Sequence, residues 1–308
     1  MWRKQYVWVS LYFLGAGRFD AILPRYWNRS RQECCVAALL HRRIRPRGDK
    51  RVRVQFFFAL LLSLMFASAR AETATLTFST QDFPPFSREN NGGAAGPFAD
   101  IVRLICQRMQ TNCVIVVLPW RRTLAEVKLD QLDGVFPISR LPAREADYYF
   151  IGPILESSFT IYALTGSTIK FHDAKDFAGY TIGVYGPSGI SATLEKMTSD
   201  LPSVKIVMEI NHLTVLKKLS AGRYGLKGFG FIDRDGAQYL MSEEHISNVQ
   251  AVADIKTMDF YIGLSRKSIS PEMAAQFAEN LAALRASGEL AAILKKYGLK
   301  PTQLNLAK

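Results

Sequence analysis

The residue best suited to hold a small anion is Arg144, which follows Leu141-Pro142-Ala143. A guanidinium grips a carboxylate with two charge-assisted hydrogen bonds and stays charged inside a cleft. The alternative is a surface arginine paired with Glu145 or Asp147, since surface ion pairs are common and weak. Arg144 is therefore the first candidate for a ligand contact.

A second candidate anion site is the segment Gly186-Pro187-Ser188-Gly189, which we predict to join a strand to a helix. Backbone N–H groups at a helix N-terminus can receive an anion. We expect Ser188 to contact the ligand directly, with Gly189 beside it. The alternative is that Ser188 only caps the helix.

Residues for acid–base catalysis lack a supporting arrangement. Glu156, Asp233 and Asp235 are candidate acids, but no base stands at a suitable spacing from any of them. His172 and His212 belong to the residue type that titrates near neutral pH, and we expect both on a helix or loop surface. The sequence therefore predicts a binding protein without catalytic residues, metal ligands or cofactors.

The elements that must position these candidates alternate between short strands and helices. In the first half, we predict strands at 75–80, 113–118 and 134–138, with helices at 98–109 and 121–129. This βαβαβ order predicts a largely parallel sheet with helices on both faces.

The same alternation restarts after a strand at 159–164 and a polar segment at 165–175. The predicted elements that follow are strands at 180–185, 204–208, 226–232 and 260–264 and helices at 188–197, 212–220, 271–286 and 289–296. We therefore expect a discontinuous first lobe (72–164 and 258–308) and a second lobe (165–257). Two crossing strands would form a hinge between them.

Residues 50–71 have the features of a cleaved signal peptide. A basic start precedes an apolar run at 54–66, and Ala69-Arg70-Ala71 offers a cleavage site. The apolar run is shorter than the roughly 20 residues that cross a bilayer, which argues against a membrane anchor. We predict a periplasmic mature chain that begins after Ala71. We interpret residues 1–49 as the result of a mis-assigned translation start. The alternatives are an amphipathic extension and an upstream membrane segment.

The charge of the chain depends on this division. Residues 1–71 contain fourteen of the 39 Lys and Arg and three of the 27 Asp and Glu, so the formal charge falls from +12 to about +1. A strongly basic domain would have indicated nucleic acid or anionic lipid as a partner. The remaining chain gives no such indication.

Cys106 and Cys113 are the thiols that remain after residue 71. Two cysteines so close together in an exported chain predict one disulfide. The alternative is a pair of buried free thiols.

Several motifs occur in a fixed order over nearly all of residues 75–300. They are Asp82-Phe83-Pro84-Pro85-Phe86, Gly96-Pro97-Phe98-Ala99-Asp100, Pro119-Trp120-Arg121, Leu132-Asp133-Gly134, Leu141-Pro142-Ala143-Arg144, Ile182-Gly183-Val184 and Ala221-Gly222-Arg223. By these motifs the chain resembles the periplasmic solute-binding proteins of family 3, which deliver amino acids and other small polar solutes to ABC importers. The resemblance implies an α/β fold of the periplasmic binding protein-like type II, with two lobes joined by a two-strand hinge.

The resemblance also implies roles for individual residues. Arg144 matches the arginine that binds the α-carboxylate of the ligand, and Ser139 matches a position whose hydroxyl or backbone helps to hold it. Phe83 matches an aromatic residue that covers the ligand, and Trp120 is a second candidate wall, although either could be plain core. Leu141 stands where a hydroxyl is expected, so only its backbone N–H could contribute.

The acidic partner of a ligand ammonium falls on Gly230 by counting, with Asp233 three residues later. Asp233 could take that role only if the strand is locally lengthened. The Asp expected after Ala-Gly-Arg-x is replaced by Gly225. A second possibility is therefore a ligand that has a carboxylate but no ammonium.

The function we predict is that of a transport receptor which closes around a small polar carboxylate and delivers it to an ABC permease. Two other classes remain as alternatives: a stand-alone periplasmic ligand sensor, and a periplasmic dehydratase of the same fold. The expected partners are a small-molecule ligand and the permease, with no nucleic acid, and the chain is expected to be a monomer.

Overall fold

The computed structural model describes residues 75–303. The predicted signal peptide and the segment before it lie outside the described residues. Within residues 75–303, no helix is both long enough and apolar enough to cross a membrane.

The first part of the chain forms the predicted βαβαβ unit. Its elements are β1 (Leu76–Thr80), β2 (Arg88–Asn90), β3 (Gly93–Ala95), α1 (Pro97–Arg108), β4 (Cys113–Val117), α2 (Trp120–Lys128) and β5 (Gly134–Ser139). β1 pairs in parallel with both β4 and β5. The short hairpin β2–β3 was not predicted, because three-residue strands are too short to show an alternating pattern.

The second part contains the remaining strands and helices. They are β6 (Tyr148–Leu164), β7 (Thr181–Tyr185), α3 (Gly189–Thr198), β8 (Lys205–Glu209), α4 (His212–Ser220), β9 (Gly228–Asp233), α5 (Arg234–Glu243), β10 (Val249–Ser265), α6 (Pro271–Ala286) and α7 (Glu289–Lys296). β7 pairs in parallel with β8 and β9, so these three strands form a parallel part of the sheet.

β6 and β10 join the two lobes. The eight strands follow the order β4-β1-β5-β10-β6-β9-β7-β8, and β6 and β10 pair antiparallel from Tyr148↔Ser265 to Leu164↔Val249. β5 pairs with the late part of β10, and β9 pairs with the late part of β6. The chain therefore has the predicted fold of two lobes joined by a two-strand hinge.

Each lobe has a separate apolar core. The first core contains Phe78, Phe98 and Ile105, and the second contains Phe177 and Phe231, all fully buried. Burial of an aromatic or large aliphatic side chain contributes about 1.5 to 3 kcal/mol. The two long strands contribute to both cores, since Ile151 and Phe260 pack in the first and Phe159 packs in the second.

The hinge strands are longer than the sequence indicated. β6 and β10 have 17 residues each, whereas the sequence predicted strands only at 159–164 and 260–264. Gly152-Pro153 interrupts the apolar pattern of β6, and Asp254 and Lys256 interrupt that of β10. Phe159 and Ile161, which the sequence analysis assigned to the first lobe, pack in the second core. The exact division of the chain between the lobes stays a prediction.

Helix α5 was also missed. Its N-cap is Asp233, whose carboxylate accepts a hydrogen bond from the N–H of Gly236. A glycine in the first turn weakens a helical pattern, and no element was predicted from the sequence for residues 234–243.

Candidate functional site

A cavity of about 40 Å³ lies between the lobes. Three of the parallel strands end at or near it: β5 at Ser139, β7 at Tyr185 and β9 at Asp233. Ligands of α/β proteins bind outside the carboxyl ends of such strands. Seven of the predicted ligand residues line the cavity, namely Phe83, Trp120, Ser139, Arg144, Ser188, Gly189 and Asp233.

Leu141 does not line this cavity. It lies in a neighbouring pocket together with Arg140, Glu145 and Lys256. Leu141 is in extended conformation before the short 3-10 turn Pro142–Arg144, which carries Arg144 into the cavity instead. The predicted contact between the ligand and the backbone of Leu141 stays a prediction.

Arg144 is held by the end of β5. Its Nη1 donates to the carbonyl oxygen of Ser139 at 3.0 Å and to the Oγ of Ser139 at 3.1 Å. The guanidinium carbon lies 5.6 Å from the centre of the Trp120 ring, within the range of a cation–π contact. Burial lowers the pKa of Arg144 from its usual value, but an arginine stays charged at any ordinary pH.

The alternative ion pair for Arg144 is not present among residues 75–303. Glu145 pairs with Arg140 instead, at 2.6 Å between Oε1 and Nε, and Asp147 makes no ion pair within the described residues. Arg144 therefore presents a partly buried cation to the cavity without a carboxylate partner from the described part of the chain.

The two lobes are in contact around the cavity, so the cleft is closed. The hydroxyl of Tyr185 donates to Oε1 of Gln81 across the cleft at 2.7 Å. Gly189 approaches Ser139 so closely that a Cβ on the glycine would overlap the serine Oγ. A glycine at the start of α3 is therefore required for this degree of closure.

Ser188 caps helix α3. Its Oγ accepts from the N–H of Ser191 at 3.2 Å and donates to the carbonyl oxygen of Tyr185 at 2.6 Å. With these two bonds the Ser188 hydroxyl acts as a helix cap, which was the alternative to a direct ligand contact. Gly189 and Ile190 line the cavity, and the first N–H groups of a helix have no acceptor inside the helix. These two backbone groups are thus the better candidates for an anion contact at this helix end.

Asp233 ends β9 and is 1% exposed. Its Oδ1 accepts from the N–H of Gly236 at 2.7 Å, whereas Oδ2 has no hydrogen-bond partner within residues 75–303. Burial is the largest cause that raises the pKa of Asp233, to about 7. Gly230 lies in the middle of the strand, with its neighbours Val215 and Leu219 close by. The structure thus has Asp233, rather than Gly230, at the strand end beside the cavity.

His212 lies in the cleft, so the predicted surface position is wrong for this residue. It is 5% exposed, and its ring stacks on Phe83 with 5.2 Å between centroids and 15° between planes. The Tyr185 ring contacts it edge-on at 5.2 Å. Its Nε2 lies 3.6 Å from Oδ2 of Asp233, and burial lowers the pKa of His212 to about 3.

Several cavity residues were missed by the sequence analysis. Gln81 follows β1, Tyr185 ends β7 and His212 begins α4. Each stands at the carboxyl end of a parallel strand or in the turn after it. The rule that ligands bind at these ends, applied to every predicted strand, could have found all three.

The predicted disulfide is present between Cys106 and Cys113, with 6.2 Å between their Cα atoms. It joins α1 to the start of β4, on the first lobe. Within residues 75–303, no group of His, Cys, Asp or Glu side chains could hold a metal ion.

The chain belongs to the bacterial extracellular solute-binding proteins, family 3, whose model matches residues 76–300. A comparison with curated proteins finds no match.

Solved structures share the fold at low sequence identity. A histidine kinase sensor domain with similarity to periplasmic binding proteins is 21% identical with a TM-score of 0.67, covering 76% of this chain and 100% of its own. An ABC uptake transporter substrate-binding protein from Streptococcus pneumoniae with bound histidine is 19% identical (TM-score 0.65, 74% and 95% covered). An arginine-, lysine-, histidine-binding protein from Geobacillus stearothermophilus is 21% identical (0.64, 74% and 97%).

Proposed function

We propose that this chain is an exported receptor that closes around a small carboxylate-bearing solute, such as an amino acid, and delivers it to an ABC importer. Family membership supports the coarser function, which is capture of a solute outside the cytoplasm. The observation that carries the finer proposal is the partly buried Arg144 guanidinium, which lacks a carboxylate partner among residues 75–303.

The electrostatics of Arg144 favour an anionic ligand. Removing a charge from water costs several kcal/mol unless an opposite charge compensates it. Ser139 occupies only Nη1, and a guanidinium has five N–H donors in a planar fork. The donors without a partner in the described residues suit the two oxygens of a carboxylate.

The start of α3, in the second lobe, also favours an anionic ligand. The N-terminus of a helix carries a partial positive charge, and Gly189 lies near both Ser139 and Arg144. A carboxylate bound at Arg144 would therefore contact groups from both lobes. Such a bridge stabilises the closed form over the open form, because a ligand shifts the equilibrium toward the state that it binds better.

The far end of the ligand is proposed to carry a hydrogen-bonding group. Asp233 Oδ2 is buried and has no partner within the described residues, and a buried polar atom left unpaired costs about 1 to 3 kcal/mol. An ammonium or a hydroxyl of the ligand would satisfy this oxygen. No step of this function requires a catalytic residue.

A thermal-shift screen of amino acids, small carboxylates and polyamines tests the proposal. A carboxylate ligand should raise the melting temperature by mass action. Arg144→Ala should abolish the largest shift, whereas the matched control Arg140→Ala should keep it, because Arg140 pairs with Glu145 outside the central cavity. The proposal fails if polyamines alone stabilise the protein or if Arg144→Ala retains full affinity.

Delivery to an importer needs a separate measurement. Uptake of the radiolabelled ligand should fall in cells that lack this chain and return when it is restored. Uptake that is the same with and without the chain would contradict delivery to an importer and would favour the stand-alone sensor.

A further inference from the structure

A second, larger pocket of about 620 Å³ opens beside the cavity. The side chains that line both spaces are Gln81, Phe83, Trp120, Tyr185 and His212. These shared residues lie between the inner cavity, which contains Arg144 and Asp233, and the outer pocket, which contains Asp82 and Asn211. They form a wall between the two spaces.

His212 contacts two other members of this wall, Phe83 and Tyr185. Its ring comes from the second lobe and stacks on Phe83 of the first lobe. The Tyr185 ring packs edge-on against the His212 ring, and the Tyr185 hydroxyl donates a hydrogen bond to Gln81. The face of Phe83 that the imidazole covers is therefore closed to a ligand side chain.

Two buried polar atoms border the inner cavity on the same side. Oδ2 of Asp233 and Nδ1 of His212 have no hydrogen-bond partner within residues 75–303, and their side chains are 2% and 6% exposed. Nε2 of His212 lies 3.6 Å from the same Asp233 oxygen, which is too long for a hydrogen bond. Both atoms point to a ligand with a polar group at this end.

We propose that His212 sets the length of the ligand. It confines the ligand to the inner cavity, so that the site accepts a short carboxylate with a polar group near Asp233 and rejects longer chains. This inference rests on the proposed binding of a carboxylate at Arg144. It adds the size limit and the residue that imposes it.

The test compares His212→Ala, which opens the wall, with His212→Leu, which keeps an apolar side chain of similar size but removes the ring nitrogens. The probes are the linear amino acids from glycine through alanine and norvaline to norleucine, and the matching 2-hydroxy acids from glycolate to 2-hydroxyhexanoate. Dissociation constants are measured by calorimetry on protein expressed from the full-length chain. Neither substitution removes the Asn211 cap of α4, whose side chain accepts from Thr214 N–H.

In the unsubstituted protein, affinity should fall about tenfold for each methylene beyond the length that the cavity accepts. His212→Ala should improve the affinity for norleucine or 2-hydroxyhexanoate at least about tenfold, and His212→Leu should keep the original limit. If His212→Ala does not fold, His212→Ser carries the same expectation.

The inference is overturned if short acids bind and His212→Ala leaves the length profile unchanged. It is also overturned if His212→Leu relaxes the limit as much as His212→Ala does, because the size of the side chain would then not matter. If no acid of either series binds any of the proteins, the carboxylate site itself is refuted. That outcome contradicts the proposed function rather than the role of His212 alone.

Discussion

Gly189→Ala should weaken ligand binding without weakening the fold. In the closed cleft, a Cβ at this position would lie closer than 3.0 Å to Oγ of Ser139. Ser139 cannot easily move, because its Oγ and carbonyl oxygen both hold Arg144. Overpacking of this kind costs about 1 to 3 kcal/mol, and the cost falls on the closed form. The dissociation constant should therefore rise about 5- to 150-fold.

The ligand-free protein should tolerate the same substitution. Gly189 has no left-handed backbone conformation, and alanine is favoured over glycine inside a helix by about 0.5 to 1 kcal/mol. In an open cleft the added methyl group has no serine opposite it. The melting temperature without ligand should stay the same or rise slightly.

A double-mutant cycle with Ser139→Ala isolates the contact. The Cβ of Ser139 lies 3.4 Å from the added carbon, which is ordinary van der Waals contact, so removal of Oγ should relieve the overlap. Calorimetric titration with the best carboxylate of the screen should show that the two substitutions together cost less than the sum of their separate costs, by at least about 1 kcal/mol. Unchanged affinity in Gly189→Ala, or strictly additive costs, would refute the reasoning.

Two further predictions concern stability. Replacement of Cys106 and Cys113 by serine should lower the free energy of unfolding, measured by urea unfolding, by about 2 to 3 kcal/mol in the chain-entropy model. Reduction of the disulfide in the unsubstituted protein should lower the free energy of unfolding by the same amount. Asp233→Asn should increase the stability of the ligand-free protein more at higher pH. Because burial raises the pKa of Asp233 from 3.8 to about 7, the stabilising contribution of its protonated form is present below about pH 4 and is lost as the pH rises through about 7. The difference in unfolding free energy between Asp233→Asn and the unsubstituted protein should grow over that range, and a difference independent of pH would contradict the shift.

Much of the fold could be predicted because short apolar strands alternate with amphipathic helices. The apolar run at the start of β5 and the face of α1 with Ile101 and Ile105 carry a signal that the sequence alone displays. The hinge strands carry no such signal over most of their length. β6 and β10 pair with each other over their whole length, and such pairing depends on packing between distant segments rather than on local pattern.

The candidate site was predictable where a side chain acts near its own motif. Arg144 and Ser139 stand five residues apart and meet through a local turn. The contact between His212 and Phe83 joins residues from different lobes, and no local pattern encodes it. Counting placed Gly230 at the end of the strand, whereas β9 runs from Gly228 to Asp233 and therefore ends at Asp233.

The most direct test of the account is a crystal structure of the protein with the carboxylate that gives the largest thermal shift. We predict a closed cleft with both carboxylate oxygens of the ligand within hydrogen-bonding distance of the Arg144 guanidinium, in the cavity that Gly189 and Asp233 border. A ligand bound elsewhere, or one in this cavity whose carboxylate faces away from Arg144, would contradict it.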